Sequence, residues 1–378
     1  MYVYFFSCTS IFYCTTYSEL IFDRYKDAKT CGLINGDDSH GKRLYANPVG
    51  PVAALTPVTN PTSTAISKIL MLAKTRNTGV FLPHPRAAKC TAEAVRICRE
   101  AGEEVGAPPG WVQCVDVHSV VESQAIMKSD KINLILSTGG PNMVKASYSC
   151  GKPAIGVGSG NAPILVDETA DLHEACGSIV LGKTFDAGMI CAAEQSVVTV
   201  ESVYDEFKSL LEHRGVYFLA GNDREKLANF IEKDGRINPD IVGQSAHEIA
   251  RRAGIESPIP TDTVVLATEE ETIGESNPLS KEKLSPVLAL YKAATFEDAV
   301  QKCRALALNG GVGHTAGLYT TSTDKKEALR REEDFLMNVP VHRVLVNVPT
   351  SLAAIGSAFN FSIGPSFTLG VGTGAGEL

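Results

Sequence analysis

The sequence lacks the patterns that would assign it at once to a disulfide-rich, metal-binding or nucleic-acid-binding class. Its ten cysteines include no Cys-x-x-Cys pair, and histidines and cysteines do not cluster at metal-ligand spacing. We therefore expect a reduced chain with no metal site. Basic residues are not in excess, because 35 lysines and arginines face 43 aspartates and glutamates, for a net charge of −8. That balance argues against a nucleic-acid partner, but small anionic ligands bound at local sites stay compatible with it.

The chain also lacks an apolar run long enough to span a membrane. The apolar segment 1–14 contains no basic residue and is shorter than the roughly 20 residues that a bilayer requires. It is either a weak signal peptide or a non-standard chain start, and we favour the second. We expect no membrane partner and a cytoplasmic location, with an organelle as the alternative.

What the sequence does contain is a regular alternation of strand and helix patterns. Its 378 residues, of which 44% are hydrophobic, suffice for two or three domains with a sizeable core. Such alternation predicts an α/β fold with a parallel sheet. In the first half, predicted strands lie at 52–56, 79–82, 112–117, 132–136 and 153–157, and predicted helices at 64–74, 87–101 and 119–128. In the second half, predicted strands lie at 196–200, 263–267, 284–290, 316–320 and 341–346, and predicted helices at 170–183, 203–213, 224–233 and 296–308.

Outside this alternation, a β hairpin is predicted at about residues 31–48. Asn35-Gly36 is the strongest short signal for its turn. The tail 364–378 is rich in glycine, serine and threonine, and it reads as a loop.

Glycine turns follow several predicted strands of the first half. Gly139 and Gly140 come directly after the strand 132–136, and Pro141 suits the first turn of the next helix. Such a turn presents free backbone N–H groups to an anion. None of the turns matches Gly-x-Gly-x-x-Gly, so nucleotide binding and ordinary α/β loops both stay open.

One thiol, Cys191, lies between a predicted turn at Asp186–Gly188 and the predicted strand 196–200. It is either a buried core cysteine or a nucleophile facing a cleft, because strand ends and loops carry most chemistry. Asp186 and Glu194 would raise the pKa of this thiol if they lay close, whereas reactive cysteines usually have positive surroundings.

Six segments together resemble the aldehyde dehydrogenase superfamily, and within it the CoA-acylating aldehyde dehydrogenase domain of the bifunctional aldehyde-alcohol dehydrogenases. The resemblance runs from about Thr15 to the chain end, almost without gaps. The segments are Pro57-Val-Thr-Asn-Pro-Thr-Ser-Thr-Ala65, Thr138-Gly-Gly-Pro-Asn-Met-Val-Lys145, Gly151-Lys-Pro-Ala-Ile-Gly-Val-Gly-Ser-Gly-Asn161, Thr184 to Gln195, Glu282-Lys-Leu-Ser-Pro286 and Gly311-Val-Gly-His-Thr315.

The resemblance implies a domain organisation. A Rossmann-like NAD-binding domain would cover residues 1–161 and include the hairpin, which would join subunits. A catalytic α/β domain would cover 162–350, and a C-terminal segment, 351–378, would return towards the NAD domain. The family also implies a homo-oligomer if the chain is complete, or a filament formed with full-length protein.

The reaction implied by the resemblance converts acetaldehyde, CoA and NAD reversibly into acetyl-CoA and NADH. Cys191 would be the nucleophile and carry a thioester, since a soft thiolate can both attack and leave. Asn60 and the Cys191 backbone N–H would form the oxyanion hole. His314 matches the histidine of the acylating branch and would carry the proton.

The cofactor contacts are implied in the same way. Glu282 matches the glutamate that holds the nicotinamide ribose. His84 and Arg86 either contact the pyrophosphate or belong to a solvated loop. The other residues expected to line the NAD site are Thr138, Gly139, Gly140, Pro141 and Gly158.

Two departures from the family pattern bear on function. Hydrolytic members carry a glutamate base on or beside the position of Val157, and the strand here has no carboxylate. That absence favours thiolysis by CoA over hydrolysis, unless the strand simply packs differently. The chain also lacks the helices that precede Thr15 in the family and stops at Leu378, so we expect a truncated chain.

The departures leave several alternatives open. They are an inactive structural remnant, a hydrolytic aldehyde dehydrogenase and, more distantly, a cysteine hydrolase using Cys191 and His314. The sequence does not fix the aldehyde chain length, the direction of flux, NAD or NADP preference, or oligomeric state.

Overall fold

The computed structural model describes residues 19–37, 39–116, 119–356 and 361. The described chain divides into two compact units: unit 1 holds the residues up to Gly158 together with 355–356 and 361, and unit 2 holds Ser159–Ala354. The N-terminal segment 1–14 and the predicted loop 364–378 lie outside the described residues. Both units alternate strands with helices around parallel sheets, which confirms the predicted α/β class.

Unit 1 contains five helices and seven strands among its described residues. The helices are α1 (19–25), α2 (Pro61–Lys74), α3 (Ala88–Glu104), α4 (Val120–Lys128) and α5 (Pro141–Tyr148), and the strands are β1 (Gly32–Asp37), β2 (Lys42–Ala46), β3 (Pro51–Thr56), β4 (Thr78–Pro83), β5 (Val112–Cys114), β6 (Leu134–Thr138) and β7 (Ala154–Val157).

The main sheet of unit 1 has five parallel strands in the order β5-β4-β3-β6-β7. Neighbouring residues of β3 face opposite sides, as a strand requires. Ala53 packs in the apolar cluster that includes Met127 of α4, while Ala54 packs with Ile69 of α2 and Val95 of α3. Along the chain, β4 and β5 extend the sheet on one side of β3, and β6 and β7 then extend it on the other side. This puts a topological switch point between β3 and β6, where open α/β sheets bind ligands.

The hairpin forms, but its turn is not at the predicted Asn35-Gly36. Both residues lie inside β1 and pair with β2, with a register irregularity beside Asn35. The turn follows Asp37 instead, because the Asp37 carboxylate accepts a 3.0 Å hydrogen bond from the N–H of Ser39 and Gly41 has a φ of 61°. An aspartate that bonds the backbone two residues on is itself a turn former.

Helix α2 begins three residues earlier than predicted. Pro61 occupies its first position and Asn60 its N-cap, without a side-chain cap hydrogen bond. Proline fits a helix start because its fixed φ is helical and its missing N–H would have no partner there. The loop before α2 is correspondingly shorter than expected.

Unit 2 is built on a seven-stranded parallel sheet in the order β10-β13-β14-β9-β8-β15-β16, with a small antiparallel pair β11-β12. Its strands are β8 (Ala162–Val166), β9 (Glu194–Val200), β10 (Val216–Leu219), β11 (Glu232–Lys233), β12 (Arg236–Ile237), β13 (Val265–Glu269), β14 (Val287–Ala293), β15 (Thr315–Tyr319) and β16 (Arg343–Val346). Its helices are α6 (Leu172–Thr184), α7 (Glu201–His213), α8 (Gly221–Ile231), α9 (Ala246–Ala253), α10 (Phe296–Leu308), α11 (Lys325–Asn338) and α12 (Thr350–Ile355), of which the last residue is assigned to unit 1.

Helices cover both faces of this sheet. Ile164 and Val197 pack in the cluster formed with α6 and α7, while the next residues, Leu165 and Val198, pack in the cluster formed with α10 and α11. Every residue of β8 and β9 is buried, as expected for central strands of a doubly covered parallel sheet.

Several elements of unit 2 differ from the sequence prediction. The strand β8 was not predicted, and its Pro163 coincides with a register irregularity against β9 that accommodates the missing N–H. The charged helix α11 was also not predicted; internal ion pairs such as Arg330–Asp334 at 2.7 Å support it. Strands β10 to β12 and helices α9 and α12 were missed as well. Strand β14 begins three residues later than predicted. In unit 1, strand β5 ends three residues earlier than predicted.

No helix among the described residues has the length and apolar character needed to cross a bilayer.

Candidate active site

Five side chains or turns of unit 2 lie at the amino ends of neighbouring parallel strands. Gly160 precedes β8, Cys191 precedes β9, Glu282 precedes β14, His314 precedes β15 and Arg343 opens β16. Since β14, β9, β8, β15 and β16 are adjacent in the sheet, these positions meet at one edge. Three of the predicted site residues, Cys191, Glu282 and His314, are thereby brought together.

Gly160 is the closest-packed point of this edge. A methyl group at this position would overlap the carbonyl oxygen of Cys191 and come within 2.9 Å of Cε1 of His314. A residue with any side chain would therefore push the Cys191 backbone and the His314 ring apart. The position requires glycine because two backbone segments and a ring converge on it.

The turn before Cys191 is confirmed and has an unusual backbone. Asp186 and Ala187 have φ values of 50° and 51°, and Gly188 has a φ of 68°. A left-handed conformation costs a non-glycine residue roughly 1–2 kcal/mol. A methyl on Gly188 would come within 2.6 Å of the carbonyl oxygen of Ser285, so the turn is held against the segment before β14. Burial raises the pKa of Asp186 to about 7.

Cys191 has intermediate exposure as a residue, while its thiol is surrounded by protein, so its role as a nucleophile stays a prediction. Burial around its thiol raises the pKa of Cys191 to about 12, and the Glu282 carboxylate adds to the rise. The Arg343 guanidinium and the backbone N–H groups of Cys191 and Ala192 lower it. Glu282 is thus the carboxylate that raises the pKa of the thiol. The sequence analysis had considered Asp186 and Glu194 for this effect, and Glu282 replaces them.

Glu282 is held by the turn before β8. Its Oε1 accepts a 2.8 Å hydrogen bond from the N–H of Gly160, and the Ser159 hydroxyl donates to the same carboxylate. Burial raises the pKa of Glu282, while these hydrogen bonds and the cations of Lys183 and Lys283 oppose the rise. The carboxylate is therefore fixed in place beside the thiol.

His314 is almost fully buried, with 1% of its surface exposed. Its Nδ1 lies 3.1 Å from the hydroxyl of Thr315, and its buried Nε2 has no hydrogen-bond partner among the described residues. Burial and the nearby Arg343 lower the pKa of His314 to about 3. The imidazole is thus neutral at physiological pH and carries a nitrogen able to accept a proton.

Arg343 is a site residue that the sequence analysis missed. Its N–H donates 3.1 Å to the carbonyl of His314, its Nη1 donates 2.6 Å to the carbonyl of Ala354, and its buried Nε lacks a described partner. Burial lowers the pKa of Arg343 to about 10, so it stays cationic. The only sequence signal was a charged residue opening an apolar strand.

A buried polar cluster lies behind the same edge, and it also went unpredicted. Gln195 Oε1 accepts a 3.0 Å bond from the N–H of Lys283 and a 3.3 Å bond from Nζ of Lys183. Both lysines are fully buried. Burial lowers the pKa of Lys183 to about 7 against the opposing pull of Glu194 and Glu282. The family-like segment Thr184 to Gln195 thus contributes Gln195 to this cluster as well as Cys191 to the edge.

The nucleotide-binding candidates of unit 1 lie at the carboxyl ends of its parallel strands. Asn60 follows β3, His84 follows β4, the Gly139–Pro141 turn follows β6, and Gly158 follows β7. Parallel strands bring these positions to a single edge, beside the switch point between β3 and β6.

This edge offers unfilled hydrogen-bonding capacity suited to a dinucleotide. Helix α5 starts here without a side-chain cap hydrogen bond, and the backbone N–H groups of a first helical turn suit an anion. Methyl groups on Gly140 or Gly158 would meet nothing within 4 Å, so a ligand can approach the backbone. The buried hydroxyl of Thr138 has no described partner. These residues fit NAD.

Three further positions of unit 1 are His84, Arg86 and Val157, and the cofactor contact of the first two stays a prediction. His84 Nδ1 accepts a 3.2 Å bond from the N–H of Arg86 and caps a short 3₁₀ turn, and Arg86 is exposed. Val157 is buried at the end of β7. Among the described residues, no group of three or more histidine, cysteine, aspartate or glutamate side chains could hold a metal ion.

Lys68 is the unpredicted polar group of unit 1. It is fully buried on α2, and its Nζ donates to the carbonyls of Leu55 at 2.6 Å and Leu136 at 3.0 Å. These carbonyls belong to β3 and β6, so the lysine bridges the switch point. Burial lowers the pKa of Lys68 to about 7.

Sequence comparison connects this architecture to known proteins. The model of the aldehyde dehydrogenase family matches residues 9–230. The bifunctional aldehyde-alcohol dehydrogenase of Escherichia coli strain K12 is 47% identical over 360 residues, covering 95% of this chain and 40% of the relative. The acetylating succinate-semialdehyde dehydrogenase of Clostridium kluyveri is 36% identical over 361 residues, covering 95% and 77%. The chain thus spans less than half the length of the bifunctional relative.

Solved structures agree in fold. An acetylating aldehyde dehydrogenase from Geobacillus thermoglucosidasius has a TM-score of 0.88 and 42% identity, covering 95% of this chain and 77% of the other. A propionaldehyde dehydrogenase from Rhodopseudomonas palustris with bound CoA and an acylated cysteine has a TM-score of 0.76 and 29% identity, covering 86% and 71%. An engineered glycolyl-CoA reductase with bound NADP⁺ has a TM-score of 0.77 and 29% identity, covering 88% and 72%.

The family model covers more than half of the chain, and the Clostridium kluyveri relative is covered over more than two thirds of its own length. The resemblance inferred from six sequence segments is therefore confirmed: the chain belongs to the aldehyde dehydrogenase family.

Proposed function

We propose that this chain catalyses the reversible, NAD-dependent and CoA-acylating oxidation of a small aldehyde, with acetaldehyde as the first candidate substrate. The observation that carries the proposal is the convergence of Cys191, Glu282 and His314 at one edge of the unit 2 sheet, around Gly160. A thiol, a carboxylate held by hydrogen bonds and a neutral imidazole form a set of groups that suits covalent catalysis.

Cys191 is proposed as the nucleophile. Its thiolate attacks the aldehyde carbonyl carbon, and the carbonyl oxygen becomes an oxyanion. The Cys191 thiol must lose its proton before it attacks, because burial raises its pKa. His314 is the proposed proton carrier, because its buried Nε2 is unpartnered among the described residues and its ring packs beside the Cys191 carbonyl at Gly160.

The oxyanion requires fixed N–H donors. The backbone N–H of Cys191 and the carboxamide of Asn60 are the proposed donors, the second by resemblance alone. Removing one such donor typically lowers kcat by about 10²–10³. Asn60→Ala would thus lower turnover strongly without abolishing thiol reactivity.

The edge of unit 1 would hold the cofactor. The N-terminal turn of α5 would receive phosphate oxygens, and Gly139, Gly140 and Gly158 would allow close approach. Glu282 is the proposed contact of the nicotinamide ribose. NAD bound there would supply the hydride acceptor, and Cys191 would carry the hemithioacetal before oxidation and the thioester after it.

CoA is the proposed acyl acceptor. Its thiolate attacks the thioester carbonyl, the acyl–sulfur bond to Cys191 breaks, and acyl-CoA leaves. Val157 and its strand β7 contain no carboxylate to activate water, which favours thiolysis. The Rhodopseudomonas palustris neighbour contains bound CoA and an acylated cysteine, which supports CoA and a cysteine as the groups between which the acyl group moves.

The test is NADH formation from acetaldehyde, measured by absorbance with and without CoA. We expect NADH only when CoA is present and none from Cys191→Ala. Equal rates without CoA would point to the hydrolytic alternative.

The remnant alternative needs a separate measurement, thermal unfolding with and without NAD. Cooperative unfolding with a midpoint raised by NAD would argue against a non-catalytic remnant. Assembly into a homo-oligomer through the exposed hairpin stays a proposal, which light scattering would check.

A further inference from the structure

The backbone that follows Cys191 is held from behind by the first turn of α12. The hydroxyl of Thr350 donates a 2.7 Å hydrogen bond to the carbonyl of Ala192. The N–H of the same threonine donates a 2.7 Å bond to Oε1 of Glu194. Thr350 therefore bridges two positions within the three residues that follow the proposed nucleophile.

The groups around this bridge are fully enclosed. Thr350 and Glu194 have no exposed surface, and a methyl on Gly182 would overlap both carboxylate oxygens of Glu194. The neighbouring Ser351 donates a 2.9 Å bond to the carbonyl of Gly182. Helix α12 thus fixes the end of α6 and the start of β9, the two elements between which the nucleophile loop runs.

The bridge bears on the chemistry of the thiol through the backbone. The N–H groups of Cys191 and Ala192 lie where they favour the thiolate. The orientation of those N–H groups depends on the turn 191–193, and the carbonyl of Ala192 within that turn is what the Thr350 hydroxyl holds. A loose turn would misdirect the donors for both the thiolate and the proposed oxyanion.

We propose that Thr350, supported by Glu194, is a positioning residue that fixes the turn after Cys191 and so sets the nucleophilicity of its thiol. The inference rests on the proposed role of Cys191 as the nucleophile. It goes beyond that role by assigning a function to a buried threonine that touches neither substrate nor cofactor.

A threonine suits a test of geometry because replacing it changes no charge. The charged groups that act most on the Cys191 thiol are Glu282 and Arg343, and both stay in place. Thr350→Val keeps the branched shape and the N–H bond to Glu194 but loses the hydroxyl. Thr350→Ser keeps the hydroxyl, and Thr350→Ala removes it without adding a methyl.

The experiment measures the rate of Cys191 alkylation by iodoacetamide in the full chain between pH 7 and 9, with peptide mapping to separate this thiol from the others. Loss of one hydrogen bond predicts roughly fivefold to tenfold slower alkylation in Thr350→Val and Thr350→Ala at every pH. Thr350→Ser is expected to stay within about twofold of the wild type. Thermal unfolding of each variant shows that the fold is retained.

Equal alkylation rates in wild type, Thr350→Val and Thr350→Ala would overturn the proposal, and so would equal slowing in Thr350→Ser. Because alkylation requires no aldehyde, NAD or CoA, it decides the positioning role separately from the proposed reaction. A wild-type chain that forms no NADH would count against the proposed function while leaving the alkylation result to decide this inference.

Discussion

The N–H of Gly160 donates a 2.8 Å hydrogen bond to Oε1 of Glu282, and this bond ties the turn before β8 to the segment before β14. The same glycine packs against the carbonyl of Cys191. A carboxylate, a thiol and a backbone turn are therefore fixed relative to one another within unit 2.

This arrangement predicts that Glu282→Gln changes the rate of Cys191 alkylation and the rate of NADH formation in opposite directions. The amide keeps an oxygen for the Gly160 N–H but removes the negative charge that helps raise the pKa of Cys191. We expect faster alkylation of Cys191 and slower NADH formation, since the proposed ribose contact is weakened. Rate measurements of both reactions check this, with the exposed Glu271→Gln as the control. A parallel change in the two rates would contradict the assignment of two roles to Glu282.

Gly160→Ala should disrupt the packing between the Cys191 backbone and the His314 ring. The added methyl would overlap the Cys191 carbonyl and crowd His314, and overpacking of this kind costs about 1–3 kcal/mol of unfolding free energy. We expect a large loss of NADH formation together with that destabilisation, read from urea unfolding. The control is Gly36→Ala in the exposed strand β1, where the nearest atom would be 3.8 Å away. Wild-type activity in Gly160→Ala would refute the close approach.

His314 predicts the pH dependence of acyl transfer. Burial and Arg343 lower its pKa to about 3, so lowering the pH from 8 to 6 leaves the imidazole neutral and able to accept a proton. A general base whose pKa lies near the operating pH contributes about 10²–10⁴ in rate. Because the pKa of His314 lies below that range, His314→Gln should slow the transfer by no more than this factor. Single-turnover transfer from acylated Cys191 to CoA is the measurement. A rate decrease centred near pH 6.5 that disappears in His314→Gln would show that the ring titrates normally.

Lys68 predicts the pH dependence of stability. The unfolded lysine keeps its proton up to a pKa of 10.5, whereas burial lowers the folded pKa to about 7. Between these values the unfolded state binds more protons, so this residue makes the free energy of unfolding rise with pH by about 1.4 kcal/mol per unit. Lys68→Met should flatten that rise in urea unfolding, while the exposed Lys89→Met should not. An unchanged slope in Lys68→Met would show that the buried amine stays charged.

Much of the fold was predictable because its periodicities are strong. Helix α10 has the predicted bounds, and β3 differs from its prediction by one residue, since apolar runs and capping residues mark both. Strand β8 was not predicted, because Pro163 normally argues against a central strand. In the structure, a local register shift accommodates this proline. Helix α11 was not predicted, because its many charged residues make the apolar periodicity weak. Phe335 is nevertheless buried on its apolar face.

The site was predictable where sequence motifs mark it and unpredictable where only the tertiary fold does. Cys191, Glu282 and His314 lie in family-like segments, and the sheet brings them to one edge. Thr350, Arg343 and Lys68 reach their places through contacts between residues far apart in sequence, and no local pattern indicates a buried lysine or a bridging threonine. Their roles follow from topology and burial.

In the proposed reaction, Cys191 carries an acyl group that it exchanges with CoA. A test of this exchange incubates the chain with acetyl-CoA in the absence of NADH, quenches with acid, and maps acetylated peptides by mass spectrometry. We expect a thioester on Cys191 that free CoA removes and that Cys191→Ser does not form. An unmodified Cys191, or acetylation that falls equally on the other cysteines, would contradict it.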